Sequence, residues 1–110
     1  MILKNETTGK VICSDLKICE SFLDRMLGLI RSSNPRNLLF KTRFGIHTFL
    51  LRDLIDIVIL NSQYKIVKIK QDLKPNNLFF WNPRYDLILE LKAGTIDKYK
   101  LTKNQLVVIK

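Results

Sequence analysis

The stretch Phe44–Asn61, FGIHTFLLRDLIDIVILN, decides how this chain is read. It sets the sole histidine, His47, together with Arg52, Asp53 and Asp56 among apolar residues. Ionisable groups are costly to bury unless paired or hydrogen-bonded. Their concentration here marks a candidate site. The flanking runs, Ile46–Leu51 and Asp56–Leu60, are rich in β-branched, leucine and aromatic residues and predict two strands. Strand parity places His47 with Phe49 and Leu51 on one face, and Arg52 with Thr48 and Leu50 on the other. The two basic side chains are then separated unless a bulge intervenes.

Working outward, Asn61 and Ser62 suit a hairpin turn into a further strand, Tyr64–Lys70. Leu38–Lys41, Tyr85–Leu91 and Leu106–Ile109 read as strands as well. In Tyr85–Leu91 the odd positions Tyr85, Leu87, Leu89 and Leu91 form one apolar face; Asp86 and Glu90 share the other with Ile88. Residues 74–83, with two prolines and three asparagines, form a loop carrying Phe79, Phe80 and Trp81. At the N-terminus, Met1–Lys4 and Lys10–Cys13 are short strands around a turn containing Asn5, Thr7, Thr8 and Gly9.

One segment has helical periodicity. Cys19, Phe22, Leu23, Met26, Leu27 and Ile30 recur at i, i+3, i+4 spacing, which predicts a helix over residues 21–30. Ser21 is its N-cap and Pro35 follows its end. Thr95–Tyr99 is a helical turn with Thr95 as N-cap. The expected architecture is a single α+β, mostly β domain: a small curled sheet or barrel of about seven to nine short strands, one helix and one helical turn.

Composition bounds the function. The chain has 110 residues, 46% hydrophobic and 26% charged, with a net charge of +9. These are the proportions of a soluble globular domain able to bury its own core. The excess of lysine and arginine is spread along the chain rather than gathered in an arm. Such a field attracts anions, acidic partners and phosphate backbones. Cys13 and Cys19 make neither a CxxC motif nor a disulfide framework, so two reduced thiols in the cytoplasm are expected. No apolar run approaches the ~18–20 residues needed to span a bilayer, and the N-terminus lacks the apolar core of a signal peptide. A single histidine excludes a multi-histidine metal site, and no cofactor or metal is expected. No phosphate loop, HExxH or G-x-S-x-G motif occurs.

Four blocks resemble the domain-of-unknown-function family 192, small bacterial and archaeal proteins without an assigned reaction. Arg25-Met26-Leu27-Gly28-Leu29 is similar to the family's R-x-x-G-L. Ile46-His47-Thr48-Phe49-Leu50-Leu51-Arg52 is similar to its I-H-T-F-F-M-R. Ile55–Leu60 is similar to its I-D-V-V-F-L strand, and Leu89–Thr95 to its L-E-L-x-A-G-T. Order and spacing agree over nearly the whole chain. Departures fall at Leu51, Asp53, Leu54, Asn61 and residues 103–105. The resemblance implies a compact β-rich domain with a helix against it, and no particular chemistry.

The residues define the candidates. His47, Arg52, Asp56 and Glu90 are expected to wall a cleft near the 46–56 hairpin that binds a small or peptide-like ligand or an acidic partner, with residues 74–84, including Trp81, as its lid. Arg25 and Gly28 are expected to join the helix to the sheet, with Arg25 or Arg52 pairing Asp56. Gly94 and Thr95 would shape the turn after Glu90, where free amides could meet an anion. Two other readings follow from the same residues. Charge and the aromatic loop suit a nucleic-acid-binding module, and His47 with Asp56 could serve a hydrolase or isomerase.

Overall fold

A computed structural model describes residues 1–19, 37–43, 45–48 and 53–110. The predicted helix over 21–30, with Arg25 and Gly28, lies outside the described residues, as does Arg52. Among the described residues the fold is mostly β, with ten short strands and one helical turn. A five-stranded sheet forms the centre, in the order β3 (Lys17–Ile18), β4 (Leu38–Lys41), β9 (Leu87–Lys92), β6 (Ile55–Leu60) and β7 (Ile66–Leu73). A three-stranded sheet has the order β10 (Val107–Ile109), β1 (Leu3–Asn5), β2 (Val11–Cys13). A two-stranded ribbon pairs β5 (Ile46–His47) with β8 (Leu78–Phe79), inside the segment expected to be loop. A bridge between Lys65 and Leu106 links the first two sheets. Among the described residues the ladders form three sheets and do not close into a barrel.

The central sheet is covered on both faces, which is why β6 is buried along its whole length. Leu39, Val58, Leu60, Leu87, Leu89 and Leu91 face one core, where Leu3, Ile12, Leu16, Leu101 and Val107 cover them. Leu38, Phe40, Ile55, Ile57, Ile59 and Ile88 face the other, with Ile46, Leu73 and Trp81. Each such buried aliphatic side chain stabilises the fold by about 1.5–3 kcal/mol. A strand enclosed on both sides loses the alternation of a half-exposed one and reads as a continuous apolar run, as IDIVIL does.

Local polar contacts set the turns. Asn5, fully buried, accepts the N–H groups of Thr7 and Thr8 through Oδ1 and donates from Nδ2 to Gln105 Oε1 at 2.9 Å. The turn after β6 is longer than Asn61–Ser62: Asn61 Oδ1 accepts the amides of Gln63 and Lys65, and Tyr64 takes a left-handed φ of 61°. The asparagine side chain stands in for backbone acceptors.

Candidate functional site

Asp56 and Glu90, the two carboxylates expected to share a cleft, point to opposite sides of the central sheet. In the β6–β9 register Asp56 opposes Leu91, whereas Ile57 opposes Glu90. Directly paired residues share a face, so Asp56 joins the face of Leu89 and Leu91, and Glu90 joins that of Ile57 and Ile88. Both are buried, at 0% and 1% exposure. Trp81 lies on the Glu90 side, in the second core, its indole N–H donating to Tyr85 O at 2.7 Å. Its side chain is part of the packed core.

Asp56 works on backbone. Its Oδ1 accepts the N–H of Asp72 at 3.0 Å and its Oδ2 accepts the N–H of Ile96 at 2.9 Å. The first bond answers a bulge. Ile55 opposes Leu73 and Ile57 opposes Lys70, so β7 carries one extra residue there, and Asp72 has φ 53°. A bulge leaves an amide outside the ladder, and Asp56 satisfies it. The second bond caps the helical turn α1 (Thr95–Lys98). Here the cap differs from expectation. Gly94, at φ 89°, is the N-cap residue, and no local side chain caps the turn. Thr95 Oγ1 instead donates backward to Lys92 O at 2.6 Å. The amide expected to face an outside anion is occupied by an internal carboxylate.

Beside this turn lies a cleft of about 500 Å³. One wall is the end of β2, with Cys13, and the segment after it, with Asp15; the other is the β9–α1 corner, with Lys92, Thr95, Lys98 and Tyr99. Asn37, only 5% exposed, ties the walls together. Its Nδ2 donates to Asp15 Oδ1 at 2.8 Å, its Oδ1 accepts the N–H of Lys92 at 3.0 Å, and its carbonyl accepts the N–H of Lys17 at 2.9 Å. Burial, and then the negative charge of Asp15, push the Cys13 thiol above its ordinary pKa. Sequence reading missed Asn37 and Asp15, because their partners lie 22 and 55 residues away and leave no local pattern.

The 74–84 segment is anchored by Thr48, which is fully buried. Its hydroxyl donates to Lys74 O at 2.6 Å and accepts the N–H of Asn77 at 2.8 Å. His47 is placed by its backbone, opposite Leu78 in the β5–β8 ribbon. Among the described residues no three of His, Cys, Asp and Glu gather to hold a metal ion, and no helix is long and apolar enough to cross a membrane.

The DUF192 family model, described as "Uncharacterized ACR", matches residues 3–109. The chain belongs to the DUF192 family. Asp56, Glu90, Gly94 and Thr95, within its resembling blocks, are thus a DUF192 strand pair and its following turn. Similar relatives include a "UPF0127 protein" of Thermococcus sibiricus, 30% identical over 87% of this chain and 66% of its own length. Another, of Pyrococcus horikoshii, is 28% identical over 90% of each. The fold is similar to a solved protein of unknown function from Novosphingobium aromaticivorans, with a TM-score of 0.82 at 10% identity over 99% of this chain and 84% of that one. It is also similar to a Sinorhizobium meliloti protein assigned provisionally as a transcription regulator, with a TM-score of 0.75 at 16% identity over 97% and 89%. At such identities the likeness is one of fold alone.

Proposed function

We propose that this DUF192 domain is a binding module whose ligand is a small or peptide-like molecule carrying negative charge. The ligand occupies the cleft at the β9–α1 corner, next to the Asp56 end of the 46–56 segment. The observation that carries this reading is the bracing of both cleft walls by buried polar side chains. Asn37 holds the Asp15 and Lys92 segments together, and Asp56 holds α1 from beneath. Such bracing pre-organises a cleft, which lowers the ordering cost of binding. Its volume, about 500 Å³, falls in the range of small-molecule sites. Lys92 and Lys98 supply positive charge at the rim, and the Asp15 carboxylate is already engaged by Asn37.

The test is a titration of the ¹⁵N-labelled protein with citrate, inorganic phosphate and a short glutamate-rich peptide. Saturable shifts centred on Gly94, Thr95 and Lys98, weakened in Lys92→Ala and Lys98→Ala, support the reading. The absence of saturable shifts at these residues with every probe removes it.

A further inference from the structure

We propose that Phe80, with one edge of its ring seated against Gly45, is a stacking platform for single-stranded nucleic acid. This surface shares no residue with the β9–α1 cleft. It comes from the β5–β8 ribbon. Phe79 turns inward, packing on Trp81 with ring centroids 5.9 Å apart, and the Lys68 ammonium sits 5.3 Å from its ring centre. Leu78 and Phe80 turn outward, at 58% and 61% exposure.

An exposed phenylalanine alone means little. Phe80 is distinguished by its seat. A Cβ built on Gly45 would come within 2.5 Å of Phe80 Cδ1 and 2.7 Å of Cε1. The ring therefore occupies the space of the missing side chain, at a glycine whose φ of +88° also disfavours any other residue. One edge of the ring is fixed against backbone while most of the side chain remains in water. A planar group stacking there meets an aromatic that is already oriented.

Basic residues lie on β7 and at both ends of the 74–84 loop. Lys68 and Lys70 are exposed and oppose Ile59 and Ile57, which puts both on the sheet face that the ribbon covers. Lys74 and Arg84 bracket the loop, and residues 74–85 contain no acidic side chain. The exposed aromatic and these cations match the two parts of a nucleotide: every base offers a π face, and every phosphate a negative charge. An acidic peptide would satisfy the lysines and leave the ring without a partner of its own.

The experiment is fluorescence anisotropy with a labelled oligothymidine strand and the full chain, at low and at moderate salt. Binding should saturate at low salt and weaken steeply with added salt. Phe80→Ala should weaken it about five- to a hundredfold, with the circular dichroism of the fold unchanged. Phe80→Trp should retain binding, with quenching of the new indole on saturation. Equal affinity of wild type and Phe80→Ala would reduce the interaction to general charge attraction and overturn the proposal. So would the absence of saturable binding at low salt. An oligoglutamate peptide that binds the wild type with the same dependence on Phe80 would reassign the surface to a protein partner.

Discussion

Asp56 Oδ2 accepts the backbone N–H of Ile96 at 2.9 Å across forty residues of sequence. The same carboxylate holds the Asp72 amide at 3.0 Å, so one buried side chain fixes a strand bulge and a helical turn together. Asp56→Ala leaves two backbone donors unsatisfied. A hydrogen bond to a charged group contributes about 1.5–3 kcal/mol, so the expected loss for two is about 3–6 kcal/mol, with Asp56→Asn intermediate. Urea denaturation followed by circular dichroism measures it; a loss under 1 kcal/mol for Asp56→Ala would contradict this role.

Asn37→Ala removes the acceptor of the Lys92 amide and the donor to Asp15. Destabilisation of about 1–3 kcal/mol is expected, with faster hydrogen exchange at Lys92. Unchanged exchange there would show that Asn37 does not brace the cleft.

Thr48→Val keeps the shape of the side chain and removes its hydroxyl. The Asn77 amide then loses its 2.8 Å acceptor and Lys74 O its 2.6 Å donor. Limited proteolysis of the 74–77 segment should accelerate while the central sheet stays protected, with a stability loss of about 1–3 kcal/mol.

The Cys13 thiol titrates above its ordinary value, raised first by burial and then by Asp15. Alkylation of Cys13, followed by mass spectrometry, should be slower than that of a free cysteine at neutral pH, since the thiolate reacts. Asp15→Asn should lower the pH at which alkylation becomes fast. The sign for stability follows from linkage. Above the ordinary thiol pKa the unfolded chain loses the proton while the folded chain keeps it. The Cys13 contribution is therefore complete below that value and is lost as pH rises through the folded pKa. A Cys13→Ser variant with the same alkaline decline in stability would show that the decline arises elsewhere.

Gly45→Ala places a methyl group 2.9 Å from Phe79 O and 2.5 Å from Phe80 Cδ1. Expected are a loss of about 1–2 kcal/mol for the left-handed backbone alone and displaced Phe80 ring resonances. Unshifted ring resonances would contradict the contact.

The strands legible in the sequence are those with enough length to show a pattern. Leu38–Lys41 appears as read, and the cores of β6 and β9 follow from their apolar runs. Lys17–Ile18 and Leu78–Phe79 pair over two residues each, too few for any period to appear. Parity separates Glu90 from Leu89 and Leu91, but its opposition to Asp56 depends on register between two strands, which parity within one strand does not contain. The distal cap was equally hidden: Thr95 has the chemistry of an N-cap, and tertiary contact gave the task to Asp56. Arg25, Gly28 and Arg52 fall outside the described residues.

The pairing of β1 with β10 has a consequence for how the molecule comes into being. Leu3 opposes Ile109 and Asn5 opposes Val107, so β1 leaves a ribosome more than one hundred residues ahead of its neighbour β10. Until β10 emerges, Leu3, wholly enclosed in the finished fold, has β2 beside it but not β10. The three-stranded sheet, and with it the cover over one core, is completed only after synthesis has passed Ile109. Such distant pairing slows folding, and the interval is when nascent β1 and β2 are most open to chaperones or to mispairing with another chain.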